Sequence, residues 1–445
     1  MLKIDLFCLE STEMFDCSVT LVFLALLVSG LHANQDHVEV LEPGIYLSIN
    51  PLAFTQPDGT IIKRRLEITW YGKQVTTDKD VIKLNQGLET VLEIYPALYQ
   101  DGFYTTNFQL PYPDVQEIGT NSLCVFDYSV RWLVKNDNNT EELASACLRS
   151  QPSWMWENRE FLKEMKIGSM MLAASHLSGA YRDYLGEGDN NLATSAVYAQ
   201  EEDIQNQLVW GARFLDIRVG YYPTLEDTFW LVHGIIKTHP MQEGIRQVQE
   251  YLRSSKDIVV WETNKFDQPW DEEAHTVWKE LLLQKFSRWL VTPGELGWDT
   301  TLQDIWTREG LPEDEGRIII TYNDIHTDTT LFYPEVLEKW GDVNEPEDLR
   351  RYLEEEVKTA QNNPDYQPWK PNCQLTPTAS DIILGRWSGL REMADAVNRN
   401  VTEWRRGGRY FKFMHTLSLF QKCDIMQEGW KIFQDYAPIV LVSEM

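Results

Sequence analysis

The pattern of apolar and polar positions changes character near residue 150. Upstream of it, short β-rich runs are separated by turn-forming Pro, Gly, Asn and Asp residues. Strands are predicted at residues 44–49, 65–71, 90–95 and 122–133. Short strands at this spacing predict a small antiparallel β-sandwich. Because these runs carry no cluster of titratable groups at a catalytic spacing, we expect residues 34–150 to form an accessory domain.

Downstream, apolar runs of strand length alternate with amphipathic stretches, a pattern typical of β/α units around a parallel sheet. Strands are predicted at residues 170–174, 213–219, 229–232, 258–261, 317–322, 411–419 and 439–442. Helices are predicted at residues 202–210, 241–254, 271–289, 346–359 and 388–405. This order predicts an α/β fold, a TIM-type (β/α) barrel, over residues 151–445. A doubly wound open sheet is the alternative, but no Gly-rich dinucleotide fingerprint follows the first strand.

The N-terminal region contains one apolar run, VTLVFLALLVSGL, at residues 19–31. Its length is that of the hydrophobic region of a signal peptide, and it is too short to span a bilayer comfortably. We therefore predict a signal peptide over residues 1–33 and a secreted protein. The alternatives are a buried N-terminal strand and a signal anchor.

Removal of this segment leaves four cysteines, Cys124, Cys147, Cys373 and Cys423. An even number of cysteines in an oxidising compartment permits two disulfides. Proximity in the sequence favours Cys124 with Cys147 and Cys373 with Cys423, and free buried thiols are the alternative. Sequons at Asn138 and Asn400 are consistent with a glycoprotein.

The charge balance excludes one large class of partner. The chain has 40 basic and 68 acidic residues, which gives a formal net charge of −28. Such a charge repels nucleic acid and anionic membrane surfaces at long range. We therefore expect no nucleic-acid partner, and we interpret the acidic runs as a solvated surface.

The ends of the first three predicted barrel strands carry unusual polar residues. His176 follows the first strand, Asp216 and Arg218 lie on the second, and His233 ends the third. Functional groups of a (β/α) barrel lie at the C-terminal ends of its strands, so these four side chains are expected at one mouth. Asp216 and Arg218 are two residues apart on a strand and therefore point the same way.

Two histidines and an arginine suit the cleavage of a phosphodiester. One histidine accepts a proton from the attacking hydroxyl, the other donates a proton to the leaving oxygen, and the arginine neutralises charge on the phosphoryl oxygens. Because the arginine already supplies positive charge, we predict no metal and no cofactor. A single histidine in an apolar context is more often structural, so the inference depends on the order and spacing of the set.

The order of these motifs resembles the X domain of phosphatidylinositol-specific phospholipase C. The matching elements are Ser-His at residues 175–176, the strand GARFLDIR at residues 211–218 and His-Gly at residues 233–234. The resemblance extends from about Met155 to the C-terminus and is greatest to the secreted, insect-type PI-PLC X domain-containing proteins. It implies a barrel fold and a phosphoric diester hydrolase active in lipid metabolism.

The resemblance also implies a role for each residue. His176 would be the general base toward the inositol 2-hydroxyl, Arg218 the phosphate clamp, His233 the general acid and Asp216 the supporting carboxylate. Arg218 occupies the position at which calcium-dependent relatives bind their metal, which implies metal-independent cleavage. The implied products are a diacylglycerol or a similar lipid and a cyclic inositol phosphate.

Two positions depart from the pattern of that family. Leu177 stands where the family has Asp or Asn, and Ser418 stands where a late strand usually supplies Asp. The alternative function is therefore a catalytically impaired, secreted protein that binds an inositol phosphate or a lipid headgroup. A metal-dependent glycerophosphodiesterase or sphingomyelinase-like lyase is a third hypothesis, but the chain has no His-x-Glu-x-Asp cluster.

Residues after the fourth and fifth barrel strands are candidates for contact with the headgroup of a phospholipid or inositol-phosphate substrate. They are Glu262, Asn264, Tyr322 and Asn323. For Tyr322 the alternative is core packing. Transient contact with a membrane interface is expected from aromatic residues near strand ends, and the candidates are Tyr221, Tyr222 and Trp270.

Overall fold

The computed structural model describes residues 43–419 apart from 57, 59, 73–74, 76–78, 114–123, 137–138, 182–195, 268–269, 323, 325–326, 362–367, 379, 382–383, 385, 388 and 407–415. The predicted signal peptide, Asn138, Asn323, Cys423 and the strand predicted at 439–442 lie outside these residues.

The first part of the described chain is all β. Its strands are β1 (Gly44–Asn50), β2 (Phe54–Thr55), β3 (Ile61–Ile62), β4 (Arg65–Tyr71), β5 (Asp80–Gln86), β6 (Glu89–Ile94), β7 (Phe103–Gln109), β8 (Cys124–Asn136) and β9 (Asn139–Arg149). A single 3-10 turn, Pro96–Leu98, follows β6. One antiparallel sheet has the order β1-β4-β7, a second has the order β6-β5-β8-β9, and β2 and β3 form a small hairpin.

The two sheets share one hydrophobic core, as the predicted sandwich requires. Leu47 of β1, Ile68 of β4, Leu84 of β5 and Trp132 of β8 belong to one buried cluster. A disulfide joins Cys124 on β8 to Cys147 on β9, which is the pairing that proximity favours. The predicted all-β domain before the barrel is therefore confirmed.

The second part alternates strands with helices. Its strands are β10 (Leu172–Ser175), β11 (Phe214–Tyr221), β12 (Phe229–His233), β13 (Ile236–Pro240), β14 (Ile258–Asp267), β15 (Arg317–Tyr322), β16 (Leu337–Lys339), β17 (Trp369–Pro371) and β18 (Thr416–Leu419). Its helices are α1 (Trp154–Glu157), α2 (Arg159–Leu162), α3 (Ile204–Val209), α4 (Met241–Ser254), α5 (Glu272–Phe286), α6 (Leu302–Trp306), α7 (Pro346–Gln361) and α8 (Leu390–Arg406). Two 3-10 turns are Ile167–Ser169 and Gly297–Asp299.

The barrel is built on a parallel sheet with the order β18-β10-β11-β14-β15. The parallel pair β16–β17 continues the wall, and β17 contacts β18. Within the described ranges, no ladder joins β15 to β16. The predicted TIM-type barrel is confirmed, with one correction: β12 runs antiparallel to β11 and forms a hairpin with β13, so it is not a parallel β/α strand.

Side chains on the two faces of the barrel strands belong to two different hydrophobic cores. Leu215, Ile217 and Trp261 pack with the helices α4 and α5 on the outside of the sheet. Phe214 and Val260, of the opposite parity, belong to a different buried cluster inside the barrel. Because successive side chains of a strand point to opposite faces, Asp216 and Arg218 share the inward face of Phe214.

Helix starts follow from the local sequence. The side chain of Asp203 accepts a hydrogen bond from the backbone N–H of Asn206, 2.8 Å away, and begins α3. The side chain of Asp271 caps α5 in the same way, through the N–H of Ala274. None of the described helices combines the length and apolar character needed to cross a membrane.

Candidate active site

His176 lies in the turn that follows β10, which ends at Ser175. Its side chain is buried. The next residue, Leu177, has a φ of 49° and donates its backbone N–H to Oδ2 of Asp216 over 3.0 Å. A left-handed conformation is unfavourable for a branched side chain, so the turn is held by its surroundings.

Asp216 and Arg218 project from β11 beside this turn. Oδ2 of Asp216 is 3.3 Å from Nδ1 of His176 and 3.2 Å from Nη2 of Arg218. Nη2 of Arg218 lies 3.3 Å from Nε2 of His176. The structure thus brings three of the predicted site residues into direct contact.

Electrostatics give these three groups different protonation states. Burial, reinforced by the positive charge of Arg218, holds the pKa of His176 well below its ordinary value, so the imidazole is neutral. Burial alone would raise the pKa of Asp216, but Arg218 and His176 lower it far below the usual range. Since the Arg218 guanidinium only donates, its contact with Nε2 assigns the lone pair of the neutral imidazole to Nε2 and the proton to Nδ1.

His233 ends β12, and Gly234 follows it with a φ of 54° at the hairpin turn. Its Nδ1 lies 2.7 Å from the carbonyl oxygen of Val197. A carbonyl only accepts, so this contact assigns a proton to Nδ1. β12 is hydrogen-bonded to β11 from Val219 onward, which places His233 on the strand next to that of Arg218.

Glu262 lies level with Asp216 in the β11–β14 ladder and is completely buried. Its carboxylate accepts a hydrogen bond from the ammonium of Lys370, which is equally buried on β17. Burial raises the pKa of Glu262 to about 7 against the attraction of Lys370. Burial would lower the pKa of Lys370, but Glu262, Asp216 and Glu338 raise it above its usual value.

A β-bulge changes which residue of β14 stands beside Arg218. The ladder pairs Ile217 with Thr263 and then Arg218 with Lys265. Uninterrupted alternation would have given this place to Asn264, whose side chain lies outside the described part of the chain. Bulges re-aim side chains in this way next to active sites. Burial, followed by the charge of Arg218, lowers the pKa of Lys265.

Glu338 on β16 and Trp340, which directly follows this strand, form one wall of the site. The ring of Trp340 stands edge-on to the ring of His176 with centroids 6.0 Å apart, and it is 37% exposed. Nζ of Lys265 lies 5.0 Å from the centroid of the same indole. Glu338 lies 3.6 Å from Lys370 and accepts a hydrogen bond of 2.9 Å from Asn372. The ring of Trp340 therefore contacts the imidazole, and the charges of Asp216, Arg218, Lys265 and Lys370 act on it.

The structure places Tyr322 apart from His176, Asp216 and Arg218. Tyr322 has the outward parity of Ile320, and its ring packs in the cluster between the sheet and the helices. Its hydroxyl lies 2.9 Å from Nδ1 of His275, and burial raises its pKa. The prediction of Tyr322 as a headgroup contact was therefore wrong, because the strand alternation turns this residue away from the barrel interior.

Of the two positions that depart from the family pattern, Leu177 and Ser418, the structure describes the side chain of Leu177 only. Leu177 is buried in a small apolar cluster with Ala180, Ala199 and Ala394. Ser418 lies on β18 opposite Ala174, and its side chain is outside the described part. In the described ranges no group of three or more His, Cys, Asp or Glu side chains is arranged to hold a metal ion.

Comparisons with known proteins give distant relatives. No family model matches the chain. It is 24% identical over 216 residues to PI-PLC X domain-containing protein 3 of Danio rerio, covering 47% of this chain and 64% of that protein. It is 24% identical over 209 residues to PI-PLC X domain-containing protein 1 of Mus musculus, covering 46% of this chain and 57% of that protein. The chain thus spans less than two thirds of the length of these relatives.

Two bacterial proteins are among the solved structures to which the chain is similar. One is the phosphatidylinositol-specific phospholipase C of Listeria monocytogenes, with a TM-score of 0.45, 14% identity, and coverage of 63% of this chain and 98% of that one. Another is the phosphatidylinositol-specific phospholipase C of Staphylococcus aureus, with a TM-score of 0.46, 14% identity, and coverage of 63% of this chain and 97% of that one.

Proposed function

We propose that this chain, which is similar to PI-PLC X domain-containing proteins, cleaves the phosphodiester of an inositol phospholipid or a glycosyl-inositol lipid. One observation carries the proposal. A neutral, buried imidazole, that of His176, lies between a carboxylate and the guanidinium of Arg218 at the ends of neighbouring barrel strands. This set can remove a proton and bind a phosphoryl oxygen in one place.

In the proposed reaction, Nε2 of His176 takes the proton of the inositol 2-hydroxyl while that oxygen forms a bond to phosphorus. Arg218 neutralises the charge that gathers on the non-bridging oxygens. His233 donates a proton to the glycerol oxygen as its bond to phosphorus breaks. The products are a cyclic inositol phosphate and a diacylglycerol, and Asp216 stabilises the imidazolium that forms at His176.

The wall beside His176 supports recognition of a polyhydroxyl ring. Glu338 can accept hydrogen bonds from ring hydroxyls, and Lys265 can donate to them. The half-exposed face of Trp340 can pack against the apolar face of the ring. Glu262 and Lys370 form a buried hydrogen-bonded pair beside Asp216.

We propose that the hairpin after His233 makes the contact with lipid. Ile235 is 82% exposed and Ile236 is 44% exposed at its tip. In contrast, the rings of Tyr221 and Trp270 pack against each other and against the buried Phe229. Two apolar side chains next to the general acid would enter a neutral interface, which the net charge of −28 does not oppose.

We further propose export of the protein to an oxidising compartment. The disulfide between Cys124 and Cys147 supports this location, because such bonds persist outside the reducing cytosol.

Leu177 favours the second candidate function, binding of an inositol phosphate without turnover. An apolar side chain in this position cannot orient the general acid, and loss of an orienting group costs orders of magnitude in rate while binding is retained.

The test is release of cyclic inositol phosphate from phosphatidylinositol vesicles by the purified protein in the presence of EDTA. Turnover that persists in EDTA and vanishes in His176→Ala supports the hydrolase. A folded protein that binds inositol phosphate through Arg218 but releases no product supports the binding protein.

A further inference from the structure

A buried ion pair connects the sandwich to the barrel close to His176. Arg64, the residue before β4, is buried and has a φ of 50°. Its Nη1 donates to Oε1 of Glu202, which is also buried, and its Nη2 donates to the carbonyl oxygen of Pro111 over 2.9 Å. The guanidinium also lies 4.3 Å from the ring centroid of Tyr112. Bonds to the sandwich on several sides fix Arg64 as an anchor for Glu202.

From Glu202 the connection continues through Gln207 of α3. Nε2 of Gln207 donates to the carbonyl oxygen of Glu202 over 2.8 Å and to that of Ser178 over 3.0 Å. Its Oε1 accepts the hydroxyl of Ser175 over 2.5 Å. One buried amide therefore holds both ends of the four-residue turn that carries His176.

A second glutamine holds the middle of the same turn. Nε2 of Gln200 donates to the carbonyl oxygen of His176 over 2.5 Å, and Gln200 is buried. The neighbouring Glu201 accepts a hydrogen bond of 2.7 Å from Arg391 of α8. Two arginines, one from the sandwich and one from α8, thus fix the segment from which both glutamines reach the turn.

We propose that Gln200 and Gln207 are positioning residues for His176 and that the sandwich holds them in place through the Arg64–Glu202 ion pair. The inference rests on the proposed role of His176. A displacement of about 1 Å in a catalytic group can cost about 100-fold in rate. Removal of either partner leaves an uncompensated buried charge, which drives such a displacement. The sandwich is therefore part of the catalytic apparatus.

The first test is independent of activity. The full chain is labelled with an NMR isotope at histidine, and the His176 signal is titrated in the wild type, Arg64→Met and Gln200→Met. The matched control is Arg399→Met, which removes a different ion pair between the sandwich and α8, the 3.0 Å contact with Glu67. We expect the first two variants to shift the signal and raise its titration midpoint, and the control to leave both unchanged. Equal shifts in all three variants, or none in Gln200→Met, would overturn the inference.

The second test separates positioning from folding by kinetics. We expect Gln200→Met to lower kcat about 100-fold with KM within about twofold of the wild type. Arg64→Lys, which keeps the charge, should recover part of the rate that Arg64→Met loses. If KM rises and kcat does not fall, the positioning role is wrong. If the wild type shows no turnover at all, the proposed function fails while the NMR comparison still decides the coupling. Should Arg64→Met not fold, Arg64→Lys tests the link to the sandwich in the NMR titration, and Gln200→Met tests the positioning role by both readouts.

Discussion

The buried carboxyl group of Glu262 gives the protein a specific dependence of stability on pH. Its ordinary pKa is 4.5, and burial raises the folded-state pKa to about 7. Between these values the folded protein holds a proton that the unfolded chain releases, so the free energy of unfolding falls as the pH rises. The gap corresponds to a loss of about 3 kcal/mol, complete somewhat above pH 7.

Glu262→Gln removes this proton and keeps the shape of the side chain. At about pH 5 the folded wild-type carboxyl is neutral, like the amide, and only the wild type should then lose stability on account of position 262 as the pH rises. At about pH 8 the wild type carries the buried charge, so we expect the variant to gain about 3 kcal/mol relative to the wild type over this interval. Comparing the two proteins cancels the contribution of His176, which has the opposite sign because its pKa is lowered.

The assay is urea unfolding followed by tryptophan fluorescence at a series of pH values. Glu338→Gln is the matched control. Burial would raise the pKa of Glu338, but Lys370 and a hydrogen bond from Asn372 lower it, so its contribution is lost only as the pH falls through acid values. The control should keep the wild-type decline. A difference between wild type and Glu262→Gln that is constant with pH would refute the assignment of a shifted proton to Glu262.

Three other variants test separate parts of the site. Leu177→Asp places a carboxylate in an apolar cluster and should lower the free energy of unfolding by about 1–3 kcal/mol. A rise in turnover without that loss of stability would contradict the burial of position 177 among apolar side chains. The double variant Ile235→Ser with Ile236→Ser should bind zwitterionic vesicles about tenfold more weakly in a sedimentation assay. Leu88→Ser, at a fully exposed site on the sandwich, should leave this binding unchanged. Trp340→Ala should raise KM about tenfold with a smaller change in kcat. An unchanged KM would show that Trp340 does not contact the substrate headgroup.

The contact of His176, Asp216 and Arg218 follows from sequence rules alone. His176 directly follows an apolar strand, and the other two residues share a strand face at a spacing of two. Parallel strands then bring the ends of β10 and β11 to one edge of the sheet. The hydrophobic period and the barrel rule were sufficient because Asp216 and Arg218 lie on a regular strand and His176 directly follows one.

The other half of the site lies where the chain is irregular. Lys265 reaches Arg218 only because of a bulge, and alternation in the sequence pointed instead to Asn264. Lys370 and Glu338 lie on strands of three residues, which are too short to show a period. Tyr322 ends β15 on the outward face together with Ile318 and Ile320, and a strand with apolar residues on both faces gives no sign of which face is the inward one. The sequence carries no local signal for a bulge or for a short strand.

The sandwich illustrates a second limit. Its buried strands β1 and β4 follow apolar runs and were predicted, whereas β9, with the polar sequence NTEELASACLR, was not. Pairing with β8 at Cys124 and from Ser129 to Asn136 makes β9 a strand, and tertiary pairing of this kind overrides local propensity. The link from Arg64 to Glu202 joins residues 138 positions apart and has no sequence signature.

Phosphorus NMR of phosphatidylinositol in mixed micelles, with EDTA present, tests the proposed chemistry most directly. The proposed activation of a substrate hydroxyl by His176 predicts that the first phosphorus signal to appear is that of a cyclic phosphodiester. This signal should be absent with His176→Ala and Arg218→Leu. A phosphomonoester that appears first would show that water is the nucleophile. No phosphorus product from the folded wild-type protein would contradict catalysis altogether and leave a barrel that binds its headgroup without cleaving it.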